Sequence, residues 1–131
     1  MSFSKNIGRF VTKATQAHDK ITRAATLELF SGVVKATPVD TGRARGNWQT
    51  GVSQPPSGVV ERLDETGSKA IAEISEKTPP GAGQVTYLAN NLPYIEELEE
   101  GSSRQAPEGM VRRNMDRVQK MVDAAIRKNK V

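Results

Sequence analysis

The spacing of apolar residues over the first 36 positions constrains the fold more than any other feature of the sequence. These residues recur at intervals of three or four, or at multiples of these, as on one face of an α-helix. They are Phe3, Ile7, Phe10, Ala14, Ile21, Ala25, Leu29 and Val33. Pro38 disfavours helical geometry at Thr37, so the sequence predicts one long helix from about Ser4 to Ala36. Its narrower first half is expected to project from the domain or to lie against another subunit.

Shorter strand and helix patterns follow the long helix. Residues 47–53 alternate in polarity and place Trp48 on the inward side, and residues 85–90 form a second strand pattern. Residues 64–77 are typical of a short helix, whose apolar residues are Leu63, Ala70, Ile71 and Ile74. Residues 94–100 suit either a third strand or a short helix. A last helix is expected from residue 107 to about Asn129, with an apolar face that includes Val111, Met115, Val118, Val122 and Ala125.

The order of these elements predicts an α+β fold, with a small, mostly antiparallel sheet packed against the long N-terminal helix and the C-terminal helix. We expect a single domain over residues 1–131. It divides into the long helix (1–36), the sheet with one short helix (37–106) and the C-terminal helix (107–131). Only 36% of the 131 residues are hydrophobic and 5% are aromatic, which predicts a thin core. A thin core is typical of a protein that completes its burial against neighbours.

The sequence also restricts the compartment and the chemistry. It has no cysteine, which excludes a disulfide framework, a thiolate metal site and a thiol nucleophile. No window approaches the roughly 18 consecutive apolar residues that span a bilayer, and the first residues lack the apolar run of a secretory signal. We therefore expect a soluble protein that is made and used inside a cell, with no membrane partner.

Charge is distributed unevenly along the chain. The net charge is +4 overall, but residues 1–36 carry six basic and two acidic side chains and residues 102–131 carry eight basic and three acidic ones. Residues 61–101, in contrast, carry three basic and nine acidic side chains. Basic ends and an acidic middle provide complementary patches that can steer the chain onto copies of itself or onto a partner.

No residue set typical of catalysis or cofactor binding is recognisable. The single histidine, His18, is best interpreted as a helix-surface residue, because no nucleophile or orienting acid accompanies it. Carboxylates can bind a hard cation or share acid–base work, and four stand close together at Glu96, Glu97, Glu99 and Glu100. They lack an Asp-x-Asp ligand loop, so we interpret them as a solvated patch or one that faces a basic patch of another chain. We predict no catalytic residue, no metal and no cofactor.

Basic residues on the C-terminal helix suggest an alternative function, a small nucleic-acid-binding module that uses the basic terminal helices. Arg112 and Lys120 can contact phosphates. They alternate with Asp116 and Asp123, however, and no aromatic side chains stand between the basic ones as stacking platforms would require. A solvated amphipathic face is the stronger interpretation.

Two segments have residue patterns that are too particular for ordinary loops. The first runs from Thr37 to Arg43 and precedes Trp48, the only tryptophan, and the second runs from Asn90 to Arg113. Together they resemble the tail-completion, or neck, proteins of long-tailed bacteriophages, also called head–tail joining or minor tail proteins. Those proteins combine a long first helix, a "sPVDTGrlR" turn and an "NnlPYa..lE.G.S.QAP.GmvR" segment before a terminal helix. The matching residues are Pro38, Val39, Asp40, Thr41, Gly42 and Arg43, then Asn91, Leu92, Pro93, Tyr94, Leu98, Glu99, Gly101, Ser103, Gln105, Ala106, Pro107, Gly109, Met110 and Val111.

The agreement in order and spacing covers almost the whole chain, and Glu100 departs from it, since an aromatic residue is common there. The resemblance implies a structural virion protein without catalytic activity. It implies a homo-oligomeric ring, hexameric or dodecameric, at the neck between the capsid connector or stopper and the tail terminator or tail tube. DNA would pass nearby without sequence-specific binding. The protein would be made in the host cytoplasm and end in the virion.

Roles for individual residues follow as hypotheses. Asp40, Thr41 and Gly42 are expected to form the turn from the long helix into the sheet, and Trp48 to pack the sheet against a helix. The segment around Tyr94, Gly101 and Gln105 is expected to form a hairpin and loop that present the acidic residues. The predicted subunit interface joins acidic residues to basic residues of the first or last helix of a neighbour; its residues are Glu96, Glu97, Glu99, Glu100, Arg112, Arg113 and Arg117.

Overall fold

The computed structural model describes residues 9–10, 19–80 and 83–128 and shows an α+β fold. The order of elements begins with a two-residue strand and a long helix and ends with a second helix of equal length. The elements are β1 (Arg9–Phe10), α1 (Asp19–Ala36), α2 (Arg43–Gly46), β2 (Gln49–Val52), α3 (Ser68–Lys77), β3 (Thr86–Ala89), α4 (Ile95–Glu99) and α5 (Val111–Lys128). No described helix is long and apolar enough to cross a membrane.

The sheet is small and antiparallel. β3 lies at its centre, with β1 and β2 on either side. In the main pairing Thr50 lies opposite Leu88, and in the other Arg9 lies opposite Tyr87. β2 packs against α3, α3 packs against α1, and α1 packs along α5. The predicted fold class, a small antiparallel sheet with a long N-terminal and a C-terminal helix, is confirmed.

The core forms where the sheet and the helices meet. Trp48 and Ile74 are fully buried there, beside Phe30 and Val34 of α1. The Nε1–H of Trp48 donates a hydrogen bond of 2.8 Å to the hydroxyl of Thr37, which itself donates to the carbonyl of Val33. The predicted role of Trp48, packing the sheet against a helix, agrees with this position.

α1 and α5 approach each other closely because of one glycine. A Cβ at Gly32 would collide with the side-chain oxygen of Asn114, so a larger residue would push the helices apart. Nearby, the guanidinium of Arg117 forms an ion pair of 2.8 Å with Glu28. Since Gly32 faces Asn114 and Glu28 faces Arg117, the two helices run in opposite directions.

Three expectations about secondary structure need correction. Arg9 and Phe10 belong to a strand, so the predicted helix from Ser4 is wrong there. The edge of β3 that β2 leaves unpaired gives their backbone a pairing partner, and an aromatic residue such as Phe10 favours strands. Residues 1–8 and 11–18, including His18, lie outside the described residues. The predicted end of the helix before Thr37 is confirmed.

The second correction concerns the start of the short helix, which was predicted near residue 64 with Leu63 on its apolar face. α3 begins only at Ser68, because Gly67 has a φ of 81°, which is incompatible with a right-handed helix. Leu63 therefore lies in the preceding loop and is 60% exposed.

The third correction concerns residues 37–106, which hold three short helices rather than one. Residues 94–100, left open between strand and helix, form α4. Glu and Leu favour helices, and Pro93 suits the turn that leads into one. The expected hairpin in this segment is wrong, since a turn, a short helix and a loop take its place.

Candidate assembly surface

The two segments that carry the resemblance meet in space. The side-chain amide of Gln105 forms two hydrogen bonds to the backbone of Val39, accepting from its N–H at 2.8 Å and donating to its carbonyl at 3.0 Å. The side-chain amide thus pairs with the N–H and the carbonyl of one residue, as a neighbouring backbone does in a β-sheet. It joins residues that are 66 positions apart.

A buried link joins the second segment to α2, which begins at the last residue of the first segment. Asn90 is fully buried, and its side-chain N–H donates a hydrogen bond of 2.9 Å to the carbonyl of Ala44 in α2. Its carbonyl oxygen accepts from the N–H of Leu92 and shapes the turn before α4. A buried amide satisfied on both sides specifies one arrangement of its surroundings. The neighbouring Asn91 donates to the carbonyl of Gly58 at 3.0 Å and holds the adjacent loop.

Between the two segments lies a cleft of about 270 Å³. Its lining combines both charges, an aromatic ring and aliphatic groups. The lining residues are Pro38, Val39, Asp40, Thr41, Arg43, Ala44, Tyr94, Leu98, Ser103 and Gln105. Asp40, Thr41 and Arg43 are exposed at its edge, whereas Pro38 is buried. The cleft thus brings together some of the predicted motif residues and leaves out others, such as the buried Trp48 and Ala106. Those that line it include Pro38, Asp40, Thr41, Arg43, Tyr94 and Gln105.

The turn from α1 into the sheet depends on Gly42. Its φ of 88° lies in the left-handed region, and a Cβ would approach the backbone nitrogen of Glu65 to 2.6 Å. Its carbonyl accepts from the N–H of Asp64 at 3.0 Å. The Thr41 hydroxyl accepts from the N–H of Arg43 at 3.3 Å. Gly42 and Thr41 therefore have the predicted turn-forming roles, while Asp40 lines the cleft.

Arg45 is a structural residue that sequence reasoning missed. Its guanidinium donates to the carbonyls of Lys35, Thr37 and Glu65, at 2.9, 2.8 and 2.7 Å. Two of these carbonyls lie at the C-terminal end of α1, where helix carbonyls lack intrahelical partners. The available signal was the arginine that ends the "sPVDTGrlR" pattern, which falls on Arg45 and not on the exposed Arg43.

Glu99 does not belong to the exposed acidic group. Its side chain is buried, and its two oxygens accept from the N–H groups of Met110, Val111 and Arg112 at 2.7, 2.8 and 3.1 Å. These are the first N–H groups of α5, which carry the positive end of the helix dipole. Glu99 therefore caps α5 from a distance of eleven residues or more, and its predicted role in a subunit interface is wrong because the carboxylate cannot reach a neighbour.

The other predicted interface residues lie at the surface. Glu96, Glu97 and Glu100 are exposed on or beside α4, and Arg112 and Arg113 are exposed on the first turn of α5. Arg117 already pairs with Glu28 of its own chain. The structure thus places acidic and basic groups on different elements.

The loop after α4 presents the remaining motif residues. The N–H groups of Gly101 and Gly109 donate to the carbonyls of Leu98 and Ala106, both at 3.1 Å. Ala106 is buried, while Pro93 and Pro107 are exposed and Tyr94 is half-buried. Exposed prolines leave part of the loop surface rigid. Among the described residues no group of three or more His, Cys, Asp or Glu side chains is arranged to hold a metal ion.

No protein family, no characterised protein and no solved structure matches the chain.

Replacing Gln105 tests the link between the two segments. We expect Gln105→Ala to lower the free energy of unfolding by about 1 kcal/mol, since it removes two exposed hydrogen bonds. It should also speed hydrogen exchange at the N–H of Val39. NMR-detected exchange measures the second effect directly. Arg104→Ala, a change at an exposed neighbour, is the control, and equal exchange at Val39 in both variants would show that the link does not hold the segments together.

Proposed function

We propose that the chain is a structural virion protein of a tailed bacteriophage, forming part of a ring at the neck between the capsid connector and the tail. The observation that carries this proposal is the junction of the two resemblance segments. The pairing of Gln105 with Val39 joins segments that are far apart in sequence, and the bond from Asn90 to Ala44 adds a contact at the residue that follows the first segment.

The two segments combine buried residues with exposed ones, and this combination supports an assembly role. Asn90, Ala106 and Glu99 are buried and position the backbone. Three other residues of the same two segments are exposed to solvent and are not part of the core: Asp40, Arg43 and Pro93. A rigid surface with exposed polar and apolar groups can bind a partner at a low cost in conformational entropy.

The charge pattern supports association with further copies. The exposed acids of α4 and the exposed arginines of α5 lie on different elements of one chain. A contact between unlike surfaces is heterologous and, with a suitable rotation, closes into a ring. Neighbouring partners in this proposal are the capsid connector or stopper and the tail terminator or tail tube.

Loss of the gene tests this role in the virus that encodes the chain. We expect lysates of a deletion mutant to contain capsids and tails that remain separate under the electron microscope. Expression of the intact chain in trans should restore joined, infectious particles. A surface variant such as Leu63→Gln serves as the matched control for complementation, because the Leu63 side chain is exposed and does not line the cleft between the two segments.

Normal joined particles from the deletion mutant would overturn the proposal. Tight, sequence-specific binding of purified protein to duplex DNA at physiological salt would instead favour the nucleic-acid-binding alternative. The exposed face of α5 mixes Arg113 and Lys120 with Asp116, which weakens that alternative.

A further inference from the structure

An open apolar groove lies between the first turns of α1 and the last turns of α5. Ile21, Ala24 and Ala25 line it on one side, and Met121, Val122 and Ala125 line it on the other. Its volume is about 300 Å³. No residue of 20–25 or of 119–128 is fully buried, although Ala25 and Val122 pack against the edge of the core. This end of the helix pair is therefore only partly covered.

Helices with a well-defined apolar face normally bury it. α1 and α5 do so only over their other halves, where Leu29, Val33 and Val118 are buried. In the open half Met121 is 47% exposed. The described residues therefore leave an apolar surface exposed. The charges around this surface indicate which partner surface can bind there.

The charges beside the groove are mostly positive. Among its lining residues Lys20 is basic and Glu28 is acidic. Two further basic residues of α5 lie outside the lining but on the same side of the helix as Met121: Arg117, one turn before it and paired with Glu28, and Lys128, about two turns after it. Counted together, these four residues give the groove and its margin a net charge of +2. Two copies of the groove placed face to face would therefore repel each other.

α4 has the complementary character. Glu96, Glu97 and Glu100 are exposed there, while Leu98 and Tyr94 are half-buried beside them and offer apolar surface. The segment 93–100 contains no basic residue. The sizes also agree, since the nine residues of α1 from Lys20 to Glu28 span about 13 Å and the five residues of α4 about 7 Å.

We propose that the α1/α5 groove of one copy receives the α4 segment of the next copy, in a heterologous, head-to-tail contact. This inference rests on the proposed assembly role and names the two surfaces that join the subunits. The carboxylates of Glu97 and Glu100 approach Lys20 and Lys128 of the neighbour, and Leu98 meets the apolar floor. Each copy keeps one free groove and one free α4, so the contact can repeat.

Two surface variants of the full chain test this contact. The acid variant carries Glu97→Lys and Glu100→Lys, and the groove variant carries Ala24→Glu and Met121→Glu, all at exposed positions. By sedimentation velocity from about 1 μM to about 1 mM, which covers weak contacts, the wild type should associate beyond a dimer. Each variant alone should associate at least about tenfold more weakly, because like charges then face each other.

Mixing the two variants separates a head-to-tail contact from a symmetric one. The acid variant still has an intact groove, and the groove variant still has an intact α4. Their mixture should form a one-to-one pair and nothing larger. The matched controls are Glu61→Lys with Glu76→Lys, and Leu63→Glu, which alter exposed acidic and apolar residues elsewhere and should associate like the wild type.

Several results would overturn the contact. They are a wild type that stays monomeric over the whole range, an acid variant that still self-associates, and a mixture that forms no pair. A groove variant that melts at a lower temperature yet associates normally would show that the groove is covered within its own chain. If one of these results is obtained while the deletion mutant still fails to join capsids to tails, the proposed contact is rejected. The proposed role at the neck is then unaffected.

Discussion

Glu99→Ala is expected to lower the free energy of unfolding by about 3 kcal/mol, since a buried carboxylate that accepts three N–H groups contributes more than a neutral hydrogen bond. The change leaves the N–H groups of Met110, Val111 and Arg112 without their acceptor. It also removes the side-chain contact that holds the end of α4 against the start of α5. For a domain of this size the melting temperature should fall by about 10–15 °C, as measured by circular dichroism.

Two variants sharpen the test of this cap. Glu97→Ala removes an exposed carboxylate from the same helix and should change stability by less than about 0.5 kcal/mol. Glu99→Gln keeps an oxygen acceptor but loses the charge, so its stability should lie between those of the alanine variant and the wild type. If Glu99→Ala and Glu97→Ala were equally stable, the cap would not contribute to folding.

Trp48→Ala is expected to be the most destabilising single substitution, at about 4 kcal/mol, within the range for large-to-small changes in a core. The ring is fully buried between the sheet and α1. Because small domains are stable by only about 5–15 kcal/mol, the variant should be partly unfolded at moderate urea concentration. Far-ultraviolet circular dichroism during a urea titration measures the effect without relying on tryptophan fluorescence.

Trp48→Phe separates packing from hydrogen bonding. It keeps most of the apolar volume but loses the bond from Nε1 to the hydroxyl of Thr37, and should cost about 1–2 kcal/mol. Leu63→Ala is the control for an apolar residue outside the core, since Leu63 is 60% exposed. A Trp48→Ala variant within about 1 kcal/mol of the wild type would contradict the central place of this residue in the core.

The acidic residues of α4 have two different roles, because Glu99 is buried and the others are exposed. Four consecutive or nearly consecutive glutamates stand at 96–100, but one belongs to the interior and the others to the surface. An interface built on this helix can use the exposed carboxylates of Glu97 and Glu100, next to Leu98. A matched pair of substitutions, Glu97→Ala and Glu99→Ala, distinguishes the surface role from the internal one.

Local patterns in the sequence were sufficient for the larger features of the fold. The three-and-four spacing predicted the helices that end at Ala36 and near residue 128, and the alternation around Trp48 and at 85–90 predicted the two main strands. These patterns succeed because burial of one face imposes the period of the element on its own residues. They fail at ends, as at Leu63, where a single glycine conformation decides where a helix begins.

The acidic group at 96–100 shows what the sequence alone determined and what only the tertiary structure decided. Their composition does not distinguish Glu96, Glu97, Glu99 and Glu100 and predicts only a negative patch; the resemblance singled out Glu99 but gave it no role in the interior. The fold brings the first N–H groups of α5 to one of them, and the same packing brings Gln105 to Val39 across 66 positions. Such contacts depend on the relative placement of distant elements, and a local period carries no information about which distant backbone group a side chain meets.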